Sequence, residues 1–134
     1  MEVRAIVFPR RSVLVVDRSQ ETREVLRMAL AGSGTHVLEA SRPDEGLRLA
    51  REHRPDVIVL DLDVAAESGE GIAADFDAES QSRETALVLL GSARRTRKVF
   101  PAGQFVSKPY HYGPLIRKIE GLLDEARQPP LPSA

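Results

Sequence analysis

The 134-residue sequence contains no cysteine and no tryptophan, and only 4% of its residues are aromatic. Without cysteine, disulfides, thiol catalysis and cysteine-ligated metal sites are excluded. The scarcity of aromatic residues argues against a flavin site or a base-stacking nucleic-acid surface. No apolar run approaches the roughly 20 residues that span a bilayer. The formal net charge is only −1, so composition favours neither nucleic acid nor membranes as partners.

The beginning of the chain carries no pattern of a secretory signal, because the apolar stretch there is short and Glu2 comes too early. We therefore expect a cytoplasmic protein. Its length is that of one domain. A chain of this size can bury roughly two-thirds of its unfolded surface, which is enough for a sheet covered by helices on both faces.

Apolar strand patterns alternate with helical patterns along the chain. Strands are predicted at 12–16, 36–40, 57–60, 86–90 and 104–107. Helices are predicted to begin near Ser19, Pro43 and Gly71, with at most two helical turns at 94–100 and a final amphipathic helix around 115–123. Alternating strands and helices imply a parallel sheet with right-handed crossovers, so the sequence predicts an α/β fold of the type (βα)5.

The third predicted strand is the element around which the chain is organised. Residues 57–60 are four consecutive aliphatic residues, as expected of a central strand buried on both faces. Two carboxylates, Asp61 and Asp63, follow the strand, and the small residues up to Gly69 predict a turn. In an open α/β sheet, ligands bind beyond the carboxyl ends of the strands, so these acids are candidates for chemistry.

Four strands end in a polar residue that can take part in chemistry: Asp17, Asp61, Ser92 and Lys108. In a parallel sheet all four lie at the same edge. Two carboxylates can hold Mg²⁺, and a carboxylate beside that metal can attack phosphorus. A hydroxyl and an ammonium group next to them would bind phosphoryl oxygens and offset their charge. The set predicts a site that accepts a phosphoryl group.

These residues resemble the receiver domain of two-component response regulators, over residues 11–127. The matching pieces are the apolar strand ending in Asp17, the run 55–61 with Gly69 after it, Ser92-Ala93 and Lys108-Pro109. The resemblance implies a flavodoxin-like, three-layer sandwich with strand order 2-1-3-4-5. Around this domain we expect an N-terminal arm at 1–10, favoured over a short edge strand, and a disordered proline-rich tail at 128–134.

The resemblance also assigns roles to the acids. It makes Asp61 the aspartate that a histidine kinase phosphorylates. It makes Asp17 a ligand of Mg²⁺, together with Asp61 and the backbone carbonyl of Asp63. The side chain of Asp63 is expected to be a solvated loop acid or a partner of Arg18.

Three further residues receive roles from the same resemblance. Ser92 would be the switch hydroxyl that closes on the phosphoryl group, and Lys108 would be the counter-ion of that group. The Lys108-Pro109 peptide bond is expected to be cis. Phe105 falls at the aromatic switch position, where it can change its burial but has no hydroxyl to donate.

Two departures from the family's pattern accompany these matches. The family has two adjacent acids after the first strand, whereas here Asp17 is followed by Arg18. Arg18 either pairs with Asp61 or Asp63 and partly stands in for the metal, or only weakens Mg²⁺ binding. The span from Ser92 to Lys108 is 16 residues, shorter than usual, so the family's helix 4, which lies between the fourth and fifth strands, is expected to be shortened or lost. The family's usual dimer, which uses that helix, is therefore not assumed, and a homodimer stays open.

Two functions follow from these observations. The first is a phosphorylation-gated switch that acts on a downstream effector protein after receiving its phosphoryl group from a histidine kinase or a phosphotransfer protein. The alternative is a degenerate receiver that serves as a phosphorylation-independent interaction module. Neither is an enzyme with turnover.

Residues 61–64 also resemble the acid pair of haloacid-dehalogenase-type phosphatases, but that pair normally follows the first strand. The basic residues within 94–98 predict a solvated face or a protein-docking patch, with no direct contact to nucleic acid.

Overall fold

The protein folds around one sheet of five parallel strands in the order β2-β1-β3-β4-β5. The computed structural model describes residues 10–67, 70–92 and 103–127. The strands are β1 (Ser12–Val16), β2 (His36–Ala40), β3 (Val57–Asp61), β4 (Ala86–Gly91) and β5 (Gln104–Ser107). The predicted α/β class, the five strands and the 2-1-3-4-5 order are confirmed.

The helices lie on both faces of the sheet. They are α1 (Gln20–Ala31), α2 (Pro43–His53), α3 (Leu62–Glu67), α4 (Glu70–Arg83) and α5 (Tyr112–Arg127). Apolar residues of α1 and α5 pack with one face. Those of α2, α3 and α4 pack with the other. The result is the three-layer arrangement that the sequence predicted.

Each central strand contributes side chains to the cores on both faces of the sheet, because successive side chains point to opposite sides. In β1, Val13 and Val15 join the core under α1 and α5. Leu14 and Val16 join the core under α2, α3 and α4. A strand that supplies both cores must be apolar at every position, which explains the continuous apolar runs in the sequence.

The chain beyond β3 differs from the prediction. A turn was expected directly after Asp61, whereas the structure continues into α3. Leu62 and Ala65 are buried one helical turn apart, and both join the core under α2 and α4. A side chain at Gly91 would lie 3.2 Å from Leu62 Cβ, so the missing side chain at Gly91 lets α3 pack closely against β4. Burial of this short apolar face, which was not weighed in the sequence, favours the helix over a turn.

Some predicted features fall outside the described residues. They include the family's helix 4, expected to be shortened or lost between β4 and β5, and the basic residues within 94–98. They also include most of the N-terminal arm and the proline-rich tail. The arm, receiver and tail boundaries stay predictions. Across the three described ranges, no helix is both long and apolar enough to cross a bilayer.

We expect Gly46→Ala to destabilise the protein, because α2 lies against β1 at this glycine. A Cβ there would lie 2.6 Å from Val16 Cγ2 and 3.3 Å from Phe76 Cζ. Relief of that overlap requires movement in a packed core, at a cost of about 1–3 kcal/mol in the free energy of unfolding. Urea denaturation measures the loss.

The matched control is Gly121→Ala, on the exposed face of α5, where a Cβ would meet no atom within 4 Å. This change should stabilise the protein by about 0.5–1 kcal/mol, as alanine loses less backbone entropy in a helix. Equal stability of the two variants would contradict the close approach of α2 to β1.

Candidate functional site

The carboxyl ends of the strands bring three of the predicted site residues together. Asp17 follows β1, Asp61 ends β3 and Lys108 follows β5. They share a cavity of about 530 Å³, which is lined by Asp17, Ser19, Thr22, Asp61, Lys108, Pro109, Tyr110 and Tyr112. The predicted acid and lysine constellation is therefore assembled at one edge of the sheet.

Asp61 is a buried carboxylate that accepts two hydrogen bonds from the described residues, both on the same oxygen. Only 5% of the residue is exposed. Its Oδ1 accepts a hydrogen bond from the backbone N–H of Asp63 at 2.9 Å. The same oxygen accepts one from Lys108 Nζ, also at 2.9 Å. These two donors compensate a carboxylate that burial would otherwise disfavour.

Lys108 bridges two carboxylates, since its Nζ also donates to Asp63 Oδ2 at 2.9 Å. Burial by itself lowers the pKa of Lys108, but the hydrogen bonds to Asp63 and Asp61 and their negative charges raise the pKa overall. The lysine is therefore firmly cationic near neutral pH. The side chain of Asp63 is a partner of this lysine and is 55% exposed, as expected of a solvated acid, whereas Arg18 pairs with Glu67 and not with Asp63. The predicted Lys108-Pro109 cis bond is confirmed.

Asp17 is the most buried acid of the site, with 3% of the residue exposed. Its Oδ1 accepts the backbone N–H of Ser19 at 2.8 Å. Burial raises the pKa of Asp17, and the negative charge of Asp61 adds to that rise, while the Ser19 hydrogen bond and Lys108 oppose it. The ionised carboxylate of Asp17 is thus held at an energetic cost.

A hydrogen-bonded chain leads from Asp17 to the start of α5, and the sequence reasoning missed it. Ser19 caps α1 by accepting the Thr22 N–H. The hydroxyls of Thr22 and Tyr112 lie 3.0 Å apart and share a hydrogen bond. The ring of Tyr110 meets that of Tyr112 edge to face, with centroids 5.9 Å apart. The only available signal was that the chain's two tyrosines closely follow Lys108. No local pattern places Thr22 beside them.

Arg18 does not enter the acid site. Its guanidinium pairs with Glu67 at the end of α3, and both side chains are more than half exposed. Of the two alternatives for Arg18, the pairing with Asp61 or Asp63 is not the one that the structure shows, and the weakening of Mg²⁺ binding stays a prediction. Those two acids are already joined to Lys108, and the helix α3, which was not predicted, supplies Glu67 as another partner.

Two other predicted residues do not join the hydrogen bonds of the site among the described residues. Ser92 is exposed just after β4. In the described part of the chain, it makes no hydrogen bond to Asp61 or Lys108. Phe105 in β5 is partly buried and packs against the core under α2 and α4. The switch roles of both residues stay predictions.

The oxygen donors of the site are the carboxylates of Asp17 and Asp61. Residues 10–67, 70–92 and 103–127 contain no group of three or more acidic, histidine or cysteine side chains suited to a metal. Mg²⁺ is often held by one or two carboxylates with waters completing its shell, so this pair fits a hydrated Mg²⁺. Asp63 lies in the first turn of α3. The metal role of its carbonyl stays a prediction.

Comparisons with known proteins agree with this geometry. Residues 13–120 match the family model of the response regulator receiver domain. The chain is 34% identical over 112 residues to the KDP operon transcriptional regulatory protein KdpE of Escherichia coli K12, covering 81% of this chain and 49% of KdpE. It is 27% identical over 122 residues to the polar-differentiation response regulator DivK of Brucella anthropi, covering 87% of this chain and 98% of DivK.

Among solved structures, the chain is similar to the chemotaxis protein CheY4 of Vibrio cholerae. The TM-score is 0.70 with 24% identity, over 85% of this chain and 99% of CheY4, which supports the shared fold. The chain spans about half the length of KdpE, so the activity of that whole protein is not transferred to it. The family match covers most of the chain and includes the edge that carries Asp17 and Asp61. The chain belongs to the response regulator receiver domain family of two-component signalling.

Proposed function

We propose that Asp61 accepts a phosphoryl group from a histidine kinase or a phosphotransfer protein, and that the modified domain changes its affinity for an effector protein. The observation that carries the proposal is the contact of 2.9 Å between Lys108 Nζ and the buried carboxylate of Asp61. A cation fixed beside a nucleophilic carboxylate offsets the charge of an incoming phosphoryl group.

Both hydrogen bonds that the described residues donate to the Asp61 side chain fall on Oδ1, so in this proposal Oδ2 attacks phosphorus. Lys108 is cationic throughout and needs no proton transfer to act. On phosphorylation it exchanges part of its contact with the two carboxylates for phosphoryl oxygens. The Ser92 hydroxyl supplies a further donor to the same oxygens, and Phe105 responds by a change in burial.

Mg²⁺ completes the site in this proposal. The carboxylates of Asp17 and Asp61 would hold the ion, with the Asp63 carbonyl as a further ligand, and the ion would offset the charge on the phosphoryl group. The buried charge of Asp17 supports the proposal, because a cation beside it would relieve the cost of keeping it ionised.

A second function is supported by a specific observation. Lys108 already bridges Asp61 and Asp63, and Arg18 stands where the family has a second acid. In such a site the lysine already neutralises the acids, and one carboxylate that would bind the metal is missing. The domain can then keep a single conformation without phosphorylation. The degenerate receiver, an interaction module independent of phosphorylation, therefore remains the competing proposal.

Incubation with Mg²⁺ and a small phosphodonor should add one phosphoryl group to the wild-type protein and none to Asp61→Asn, because the amide lacks the nucleophilic oxygen. Intact-mass spectrometry measures the addition. Asp75→Asn, at an exposed acid on α4, is the matched control and should be modified like the wild type. A wild-type protein that gains no mass at any donor concentration supports the degenerate receiver instead.

Asp17→Asn should stabilise the metal-free protein at pH 7 by about 0.5–2 kcal/mol, since it removes an unfavourable charge. Because folding raises the pKa of Asp17, keeping this carboxylate ionised lowers the free energy of unfolding. This loss of stability grows as the pH rises from the ordinary pKa of 3.8 to the raised pKa in the folded protein. The gain should therefore shrink as pH falls through that range. Urea denaturation in a chelating buffer, with Asp75→Asn as control, measures it. A variant less stable than the wild type at pH 7 would contradict the assignment.

Arg18→Asp should tighten Mg²⁺ binding at least about tenfold, because it adds a carboxylate ligand and removes a cation. Arg18→Ala, which only removes the cation, should give a smaller gain. Both tyrosines of the chain line the site cavity and the chain has no tryptophan, so tyrosine fluorescence reports the titration. Equal affinity in all three proteins would show that position 18 lies too far from the metal to matter.

A further inference from the structure

We propose that a second cavity, at the amino ends of β1 and β2, binds a phosphate group. This cavity has a volume of about 360 Å³ and is lined by Arg10, Ser12, His36, Leu38 and His53. The inference does not depend on the proposed role of Asp61, because the two sites share no residue.

The second cavity lies at the opposite edge of the sheet from the acid site. Ser12 begins β1, whereas Asp17 follows the end of the same strand. A strand rises by about 3.3 Å per residue, so these two positions are roughly 16 Å apart. A ligand at one edge therefore does not contact the residues of the other.

The strand register explains why the polar side chains of the cavity meet. Ser12 and His36 are paired positions of neighbouring parallel strands. Their side chains lie on the same face as Leu38, which packs against the core under α2, α3 and α4. Helix α2 covers this face and ends at His53, three residues before β3 begins at the amino edge of the sheet. The two histidines, distant in sequence, thus reach one cavity.

Arg10 brings the guanidinium group of the cavity. It precedes β1, and its Nε donates a hydrogen bond to the carbonyl of Gly34 at 3.2 Å, which holds the side chain in place. Its terminal nitrogens form no hydrogen bond or ion pair with another described residue. A guanidinium group in this situation can donate two parallel hydrogen bonds to an oxyanion.

The charge around the cavity favours an anion. None of the described residues that line it is acidic. Glu52 Oε2 lies 3.8 Å from His53 Nε2, but Arg48 Nη1 donates to both oxygens of Glu52, at 3.1 and 3.2 Å. Asp56 Oδ2 accepts the backbone N–H of Ser12 at 2.9 Å. Both nearby acids are therefore engaged by other donors.

The donor set suits phosphate. A guanidinium group, two imidazoles and a hydroxyl can all donate hydrogen bonds to phosphate oxygens. The volume lies near the lower limit of the roughly 300–1,000 Å³ that is usual for ligand cavities, which favours a small ligand. Leu38 gives the cavity an apolar side for the carbon atoms of a phosphate monoester.

A pair of imidazoles is also typical of transition-metal sites. The described ranges, however, contain no group of three or more acidic, histidine or cysteine side chains suited to a metal. The positive charge of Arg10 in the same cavity disfavours a metal cation further. Phosphate is therefore the ligand that the residues of the cavity fit better.

The test follows the ring C–H signals of the three histidines by NMR during a titration with inorganic phosphate. The pH is held at about 6.5, where ordinary histidines are partly protonated, and chloride keeps the ionic strength constant. The signals of His36 and His53 should shift along one saturating curve, with a dissociation constant of about 1 mM. His111 does not line the cavity and should not shift, so it serves as an internal control.

Arg10→Gln should weaken phosphate binding about tenfold, because it removes the charged hydrogen-bond donors. Arg42→Gln is the matched control. It removes the same charge from an exposed arginine at the opposite end of α2 from His53 and should keep the wild-type affinity. A loss of affinity in Arg10→Gln alone would show that the effect is local and does not come from net charge.

A parallel titration with glycerol 3-phosphate distinguishes the two sources of the phosphate group. Tighter binding than inorganic phosphate assigns the site to a phosphate monoester, and weaker binding assigns it to free phosphate. Three results would overturn the inference: shifts that do not saturate or that include His111 equally, unchanged affinity in Arg10→Gln, or a response of His36 and His53 to Zn²⁺ but not to phosphate.

Discussion

The ammonium group of Lys108 lies between two carboxylates, 2.9 Å from Asp61 Oδ1 and 2.9 Å from Asp63 Oδ2. A carboxylate as buried as Asp61 is expensive to keep ionised without compensation. Lys108 and the N–H of Asp63 provide that compensation, so these contacts allow an ionised acid to lie at the end of a fully buried strand. The register of β5 against β4 and the placement of α3 both contribute, because they position the lysine and Asp63.

The opposite side of the site is less well compensated. Asp17 is buried next to Asp61 and accepts a backbone hydrogen bond from Ser19. Arg18, its neighbour in the chain, is turned outward to Glu67. The site therefore combines a neutralised half around Lys108 with a half at Asp17 that favours an added cation. This asymmetry supports Mg²⁺ binding beside Asp17 and keeps the degenerate receiver in competition, since one acid that a metal would use is absent.

Much of the fold was predictable because both faces of the sheet are covered. A strand buried on both faces must be a continuous apolar run, and such runs are visible without tertiary information. The segment after β3 was not predictable in this way. The residues there are small and polar in part, and only their burial against β4, where Gly91 leaves room for Leu62, favours a helix. That helix in turn carries Glu67, which Arg18 contacts in place of Asp61 or Asp63, so this partner could not be foreseen without the helix.

The sequence by itself determined the order of the elements, the parallel sheet and the residues that end its strands, because periodicity and turn chemistry are local properties. It also brought Asp17, Asp61 and Lys108 to one edge, since parallel strands share their carboxyl ends. Only the tertiary structure decided which side chains meet. Lys108 and Asp61 are 47 positions apart, and Thr22 and Tyr112 are 90 apart. Such contacts depend on how whole helices and strands pack, and local residue patterns do not encode that geometry.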